Sequence, residues 1–356
     1  MNNLNSDKFY LFGAGNTAKL CFSILKEKNK QVVSFLKSEG DSTEIENIPV
    51  ISISNNSAEI DLTIPVIIAV FNRDDNANYN SIDEFLRKKS IIKIISFYDF
   101  FEYYLSDQKN IYWLTKRSFY KKNIDKFFSI KKLFKDSHSI EVFDKITNFL
   151  TTFDYRILPY PNTHNQYFPS DVEVWNGENA FFDIGSYDAQ TIIDLYNLFG
   201  KLKKVIVYEP DPDNINKIKN KITIDSVAEE VFIIPCGIWS TTKMLRFSSG
   251  EGESSSINSL GETIIQGISL DETLIGITPG YIKMDIEGAE IEALKGSENI
   301  IKKYKPSLAV CLYHKPEHFY EIPSLINSWG LDYNFYIRLH GNNLFETVLY
   351  CVPNKN

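Results

Sequence analysis

The sequence is poor in features that would place it outside the ordinary soluble proteins. It has four cysteines in 356 residues, Cys21, Cys236, Cys311 and Cys351. They are far apart and follow no metal-ligand spacing, so neither a disulfide framework nor a zinc ribbon is expected, and reduced buried thiols are. No apolar run approaches membrane-spanning length. The start, Met-Asn-Asn-Leu-Asn-Ser-Asp, lacks the basic-then-apolar order of a signal peptide, which points to a cytoplasmic protein. There is no excess of basic residues: net charge is −8, which argues against a nucleic-acid binder. What the chain does have is apolar content, 43% with 14% aromatic, enough for two cores.

Three regions are expected: a Rossmann-like α/β domain over 1–98, a mainly helical connector over 99–164, and a second α/β domain over 165–356. In the first, Lys8 to Phe12 reads as a strand running into Gly13, Gly15 and a helix at 16–28. Strands follow at 31–36, 65–70 and 91–96, with a helix at 80–88. Gly13-x-Gly15-x-x-Ala18 fits the relaxed dinucleotide fingerprint. The strand after it ends Phe35-Leu-Lys-Ser-Glu39, with no acid where a ribose diol would need one. Nucleotide binding and a packing or docking role both stay open, and the segment resembles the N-terminal domains of some sugar-modifying enzymes in fold.

Between Lys109 and Lys135 there are eight lysines and Arg117 against one acid, Asp125, with aromatics interleaved. This is either a patch for an anionic partner or an amphipathic connector with a solvated basic face, and the second is favoured. Ile140 to Phe153 carries helical spacing, and Leu158-Pro-Tyr-Pro161 reads as a loop.

The second α/β domain carries the chemistry. Strands are expected at 180–184, 204–209, 231–235, 280–285 and 307–312. Helices are expected at 188–199, 212–221, 289–303 and 317–329, and an antiparallel hairpin over 333–352 closes the chain. In Phe181-Phe-Asp-Ile-Gly-Ser-Tyr-Asp188 an apolar run ends on Asp183 and turns at Gly185. Gly185 would let the backbone pass close to a ligand. Ser186 follows in the turn, and the helix opening near Asp188 offers free N–H groups to a carboxylate. Glu209 ends the next strand beside this crevice, where it can accept both hydroxyls of a ribose, and Pro210 stops the strand there. Cys236 and Gly237 lie in a loop expected to face an adenine, and Trp239 is either pocket wall or core. Residues 248–259, rich in Ser, Gly and Glu, read as a mobile loop or lid.

Tyr281-Ile-Lys-Met-Asp-Ile-Glu-Gly-Ala-Glu290 delivers Asp285 to the crevice rim, with Glu287 and Glu290 opening the next helix. Asp285 or Glu287 could take a proton from a hydroxyl, or could hold a divalent cation. His314, after the fifth strand, has the side chain suited to accepting a proton near neutrality. His314 and His318 stand at i, i+4, but Pro316 falls between them without a thiolate or third ligand, so no metal is expected. Arg338 and His340 end the first strand of the hairpin and are expected to reach the same pocket.

These segments together resemble the FkbM family of S-adenosylmethionine-dependent methyltransferases. The resemblance spans 165–353 and rests on Gln166-Tyr-Phe168, Phe182-Asp-Ile-Gly185, Tyr208-Glu-Pro210, Ser269-Leu-Asp-Glu272, Ile282 to Glu290, Leu294-Lys-Gly296, Tyr313-His-Lys315 and Glu346-Thr-Val-Leu-Tyr350. Ser186 and Ala189 depart from a glycine-rich turn. The resemblance implies a class I methyltransferase sheet with a C-terminal antiparallel hairpin and S-adenosylmethionine as cofactor. The implied reaction is methyl transfer to a hydroxyl of a sugar or glycan-type acceptor, a sugar nucleotide among the candidates. Asp183, Gly185, Ser186, Asp188, Glu209, Pro210, Cys236, Gly237 and Asp285 would face the cofactor. His314 with Asp285, and Glu287 beside them, would manage the proton. Tyr167, Tyr313, Lys315, Arg338 and His340 would face the acceptor. A homo-oligomer is compatible with the sequence. The competing readings are an NAD-linked sugar-nucleotide oxidoreductase using the 13–18 turn, and a non-catalytic scaffold in glycan assembly.

Overall fold

The computed structural model describes all residues except 1, 42, 57–59, 163–164, 223–226, 249–255, 258–260, 275 and 355–356. The chain divides into two compact units. One comprises Met1–Ile124, Asp144–Tyr160 and Gly341–Phe345; the other comprises Asp125–Phe143, Pro161–His340 and Glu346–Asn356. Residues 99–164 are thus shared out between the units.

The first unit holds strands β1 (Lys8–Phe12), β2 (Gln31–Lys37), β3 (Thr43–Ile45), β4 (Ile48–Ser52), β5 (Val66–Ile68) and β6 (Ile94–Ser96). They form one sheet in the order β3-β4-β2-β1-β5-β6, parallel except for β3. The sheet is Rossmann-like, as expected, with the β3–β4 pair added at its edge. That pair was missed because its strands are short and their apolar alternation is weak. Helices Asn16–Glu27 and Tyr79–Lys88 supply crossovers. Helix Phe97–Tyr104 places Phe97, Tyr98, Phe100 and Phe101 in a core with Phe71, Trp113 and Phe149. Residues 341–345 are fastened into this unit. The Asn343 amide donates to the carbonyls of Asn72 (2.7 Å) and Ala77 (3.2 Å), and the Trp113 indole N–H donates to the Asn343 carbonyl (2.9 Å).

The basic stretch is helical at Arg117–Lys122 and Ile124–Lys131. Tyr120, Phe127 and Ile130 are buried while Lys121, Lys122 and Lys126 are exposed. This is the amphipathic pattern: one face packs and the charged face is solvated.

The second unit holds β7 (Ala180–Ile184), β8 (Leu202–Tyr208), β9 (Ala228–Ile234), β10 (Gly237–Ile238), β11 (Lys243–Ser248), β12 (Ser256–Ile257), β13 (Thr263–Ile268), β14 (Pro279–Met284), β15 (Ser307–Cys311), β16 (Tyr333–Leu339) and β17 (Thr347–Pro353). Seven of them make the main sheet, in the order β16-β17-β15-β14-β7-β8-β9. The strands from β15 to β9 are parallel, and the β16–β17 hairpin joins antiparallel. The inner strands are shielded on both faces: every residue of β7 and β15 is buried. β9, at the edge, opens with two exposed acids, Glu229 and Glu230.

Two expectations are corrected here. The helix foreseen at 289–303 is two, Glu290–Lys295 and Glu298–Tyr304. The break falls at Gly296, where a Cβ would overlap the Trp239 carbonyl. The Gly296 carbonyl there accepts from Asp271 N and Ser269 Oγ, both at 2.9 Å. The region after Pro235 is also not simply loop: β10, β13, β11 and β12 form a small second sheet. Leu245, Phe247 and Ile265 form its buried core, and the half-buried Trp239 packs against them. The foreseen lid at 248–259 lies outside the described residues, apart from Ser248 and Ser256–Ile257, which belong to β11 and β12.

Candidate active site

Strand order in the second unit reverses at the β14–β7 pair. From β7 the chain moves outward through β8 to β9; from β14 it moves the other way to β15. A crevice at the carboxyl ends of these strands is where an open α/β sheet holds its ligand. The ladder aligns three strand ends there. Asp285 N donates to the Ile184 carbonyl, Gly185 N to that of Tyr208, and Glu209 N to that of Ile234.

Gly185 sits at φ +78°, and a Cβ there would overlap the Asp285 carbonyl oxygen. Glycine is therefore demanded by the protein's own packing, ahead of any ligand. Asp183, fully buried, is held by Lys283 Nζ at 3.0 Å and by the Ser186 hydroxyl at 2.7 Å. The two strands put Asp183 and Lys283 in register, and Lys283 also donates to the Gly185 carbonyl. Asp183 and Ser186 are thus tied up in bracing the turn. Lys283 was not foreseen, although a lysine inside an apolar strand signals a buried partner. Burial alone would lower its pKa, but the Asp183 and Asp285 carboxylates raise it.

Glu209 is buried at the end of β8. Its oxygens accept from Tyr187 N (3.0 Å), Asp211 N (3.0 Å) and Asn214 Nδ2 (3.4 Å). Burial raises its pKa, with these donors pulling the other way. Three donors are recorded against about four acceptor positions on a carboxylate, which leaves room for a hydroxyl. Asp188 pairs with Lys221 at 2.5 Å and accepts from Gln190 N at 3.0 Å, at the start of helix Gln190–Phe199. Pro210 is half-buried just past β8. Cys236 is half-buried, and Gly237 lies in β10, paired with Gly267 of β13.

The carboxyl ends of β14 and β15 carry the densest cluster of titratable groups. His314 Nε2 lies 3.2 Å from Asp285 Oδ1 and 3.8 Å from Glu287 Oε2, while Nδ1 lies 2.8 Å from Glu290 Oε1. Tyr167 donates to Asp285 Oδ2 at 2.7 Å, and Tyr313 to Oδ1 at 3.5 Å. Lys315 runs beside Gly288. Asp285, Glu287, His314, Tyr167, Tyr313 and Lys315 are therefore brought together. Arg338 and His340 are not. The Arg338 guanidinium bonds Asp136 (2.7 Å), Asp171 (2.8 Å) and Ser139 (2.7 Å). His340 bonds the Asn162 carbonyl (2.6 Å) and the Tyr350 hydroxyl (2.8 Å). Both are buried and engaged with their own partners.

Electrostatics separate the cluster's members. Burial alone would push His314 down, but the Glu290 and Glu287 carboxylates and the bonds to Asp285 and Glu290 hold it well above its ordinary value. Burial would raise Asp285, yet His314 and Lys283 hold it far below the usual carboxylate range. Glu287 is pushed up to about 8 by burial, with the nearby Asp285 and Glu290 charges reinforcing the shift and His314 opposing it. Glu287 has a left-handed backbone, φ +53°. Asp285, Glu287 and His314 each present one ligand atom, all within 4.8 Å of one another, a donor set that suits a divalent cation. Glu290 and His318 went unassigned in the sequence. The i, i+4 pair His314/His318 was visible, but what it embraces is the Glu290 carboxylate, with His318 Nδ1 3.3 Å from Oε2.

A parallel sheet with this order, a crevice between β7 and β14 and a closing antiparallel hairpin define the class I methyltransferase fold. Within it, residues 183–335 match the family model of the methyltransferase FkbM domain. The chain is similar to the crystal structure of methyltransferase FkbM from Methylobacillus flagellatus KT: TM-score 0.77 and 20% identity, covering 98% of this chain and 90% of that one. It is distantly similar to a putative rRNA-methylase from Clostridium thermocellum, with TM-score 0.34, 14% identity and coverage of 55% and 97%. Aeropyrum pernix fibrillarin in complex with S-adenosyl-L-methionine gives TM-score 0.30, 11% identity and coverage of 52% and 70%. No curated protein matches the chain. No helix among the described residues is long and apolar enough to cross a membrane.

Proposed function

We propose that this protein is an S-adenosylmethionine-dependent O-methyltransferase acting on a hydroxyl of a sugar or glycan-type acceptor, a sugar nucleotide among the candidates. The observation that carries this is the convergence of Asp285, Glu287 and His314 on one rim of the β7–β14 crevice, with Glu209 at the end of β8 on its other side. Glu209, with one acceptor position left, suits a ribose hydroxyl. When bound, S-adenosylmethionine would supply an activated methyl group on a sulfonium.

The chain's own task is to align the acceptor and manage one proton. An acceptor held beside Glu287 would receive that methyl group on its oxygen, the sulfonium leaving as a neutral thioether. The hydroxyl proton must leave in the same event. In this proposal it passes to Glu287. His314 is a poor acceptor because its neighbours keep it protonated, whereas Glu287, near 8, is poised to take a proton. His314 instead holds Asp285 and Glu287 in place and tempers the charge between them. Tyr167, Tyr313 and Lys315 line the approach.

Isothermal calorimetry with S-adenosylmethionine and NADH, followed by an assay for S-adenosylhomocysteine against a panel of sugar nucleotides and glycans, tests the proposal. Binding of the first nucleoside alone and methyl transfer to a hydroxyl are expected. NADH binding without S-adenosylmethionine binding would sink it.

A further inference from the structure

We propose that Glu290 is a positioning residue, whose one buried carboxylate fixes both the backbone that presents Glu287 and the ring of His314. This deepens the methyl-transfer proposal and rests on it for the consequence in turnover.

Two left-handed residues in succession, Glu287 at φ +53° and Gly288 at φ +96°, carry the chain from β14 into the next helix. Glycine adopts that conformation freely, but glutamate does so at a cost and needs something to hold it. The flanking amides show what does. Ile286 N donates to Glu290 Oε1 at 3.0 Å and Gly288 N to the same oxygen at 3.4 Å. The two N–H groups bracket Glu287 and form a small anion-binding concavity, filled by the chain's own carboxylate. The same oxygen lies 2.8 Å from His314 Nδ1, so the ring is directed with Nε2 toward Asp285 and Glu287. Its other oxygen faces His318 Nδ1 at 3.3 Å.

A capping role alone would need an acceptor without a charge. The carboxylate here meets more than the two amides. His314 faces the carboxylates of Asp285, Glu287 and Glu290 and the ring of Tyr313; Lys283, Lys315 and Glu346 act at longer range on the same groups. One Glu290 oxygen thus meets Ile286 N, Gly288 N and His314 Nδ1 together, and the other meets His318, so the loop around Glu287 and the His314 ring are held from a single point.

Glu290→Gln keeps an oxygen for the two amides and removes the charge; Glu290→Ala removes both. In the full chain, proton NMR should show the His314 Nδ1 proton bonded to the Glu290 carboxylate in the wild type, and that resonance should move upfield in Glu290→Gln as a charge-assisted bond becomes a neutral one. Amide exchange at Ile286 and Gly288 should stay slow in Glu290→Gln and accelerate by about a hundredfold in Glu290→Ala. Turnover in Glu290→Gln should fall by about tenfold or more with S-adenosylmethionine affinity within about threefold. An unchanged His314 Nδ1 resonance in Glu290→Gln, or turnover unchanged by that substitution where the wild type transfers methyl groups, would overturn the inference. The NMR and exchange measurements need neither cofactor nor acceptor. They judge Glu290 even if methyl transfer is absent, and if Glu290→Ala does not fold, Glu290→Gln still decides.

Discussion

The two units each contain a strand that ends on a glycine turn and enters a helix, and the two turns look alike in sequence. Gly13 follows β1 at φ +121°, and a Cβ there would come within 2.8 Å of the Ala69 carbonyl. Gly185 follows β7 at φ +78° and packs against the Asp285 carbonyl in the same manner. Each glycine is explained by a neighbouring strand end, so neither turn by itself identifies a ligand site. The difference lies in the neighbours. Beside Gly13, β2 ends on Lys37 and the chain after β5 reads Ala69-Val-Phe-Asn72. Beside Gly185, Glu209 follows directly on β8 and Asp285 on β14, with Glu287, Glu290 and His314 gathered behind. A fingerprint of glycines marks close backbone approach; the side chains at adjacent strand ends mark chemistry.

The strongest way to break this comparison is to remove the proposed proton acceptor. Glu287→Gln should lower turnover by about 10²–10⁴-fold while leaving S-adenosylmethionine affinity nearly unchanged. Single-turnover kinetics with saturating cofactor would measure it. Full activity in Glu287→Gln would mean that the cluster is only structural. Glu209→Ala comes next. Losing a buried acceptor of ribose hydroxyls should weaken cofactor affinity by about ten- to a hundredfold, as seen by calorimetry. Equal affinity would place the cofactor elsewhere.

The pH dependence sharpens the assignment within the cluster. A carboxylate pushed up to about 8 is mostly protonated at neutral pH and becomes a base as pH rises. Turnover should climb about tenfold per unit below pH 8 and level off above it. The His314 cation pulls the Glu287 value down, so His314→Gln should move the rising limb to higher pH. A limb near 6.5 that vanishes in His314→Gln would instead make His314 the base. A chelator should leave turnover unchanged if His314 holds a proton at Nε2. Loss of activity restored by Mn²⁺ would put a cation between Asp285, Glu287 and His314.

Much of this was legible beforehand because strands buried on both faces are written as apolar runs. Those of the main sheet, from β7 to β17, stand within a few residues of where the sequence put them. The approach of Asp285, Glu287 and His314 was legible too, since strand ends of one parallel sheet share a rim. What was not legible depends on register and side-chain direction. Asp183 looked like a ligand contact until register placed Lys283 opposite it. Arg338 looked like a pocket residue until Asp136 and Asp171, remote in sequence, took up its guanidinium. Glu290 looked like one more acid suited to a helix start. Its role depends on its carboxylate turning back toward Ile286 N and on the ring of His314 arriving from another strand.

The smallest expected effect tests the quieter turn. Gly15 has extended backbone at φ −86°, and nothing lies within 4 Å of where its Cβ would stand. Gly15→Ala should thus cost the fold no more than about 1 kcal/mol, the usual penalty for alanine at a helix N-cap. If the Gly13 turn holds no ligand, the substitution should leave both S-adenosylmethionine affinity and methyl transfer where they were. The space in front of Gly15 is also where a phosphate would need to approach the backbone, so an added methyl there is a sensitive probe of any nucleotide. A folded Gly15→Ala protein that has lost turnover, or lost binding of a sugar nucleotide measured directly by calorimetry, would show that the first unit contributes a ligand site of its own. The two turns would then differ in which ligand they serve rather than in whether they serve one.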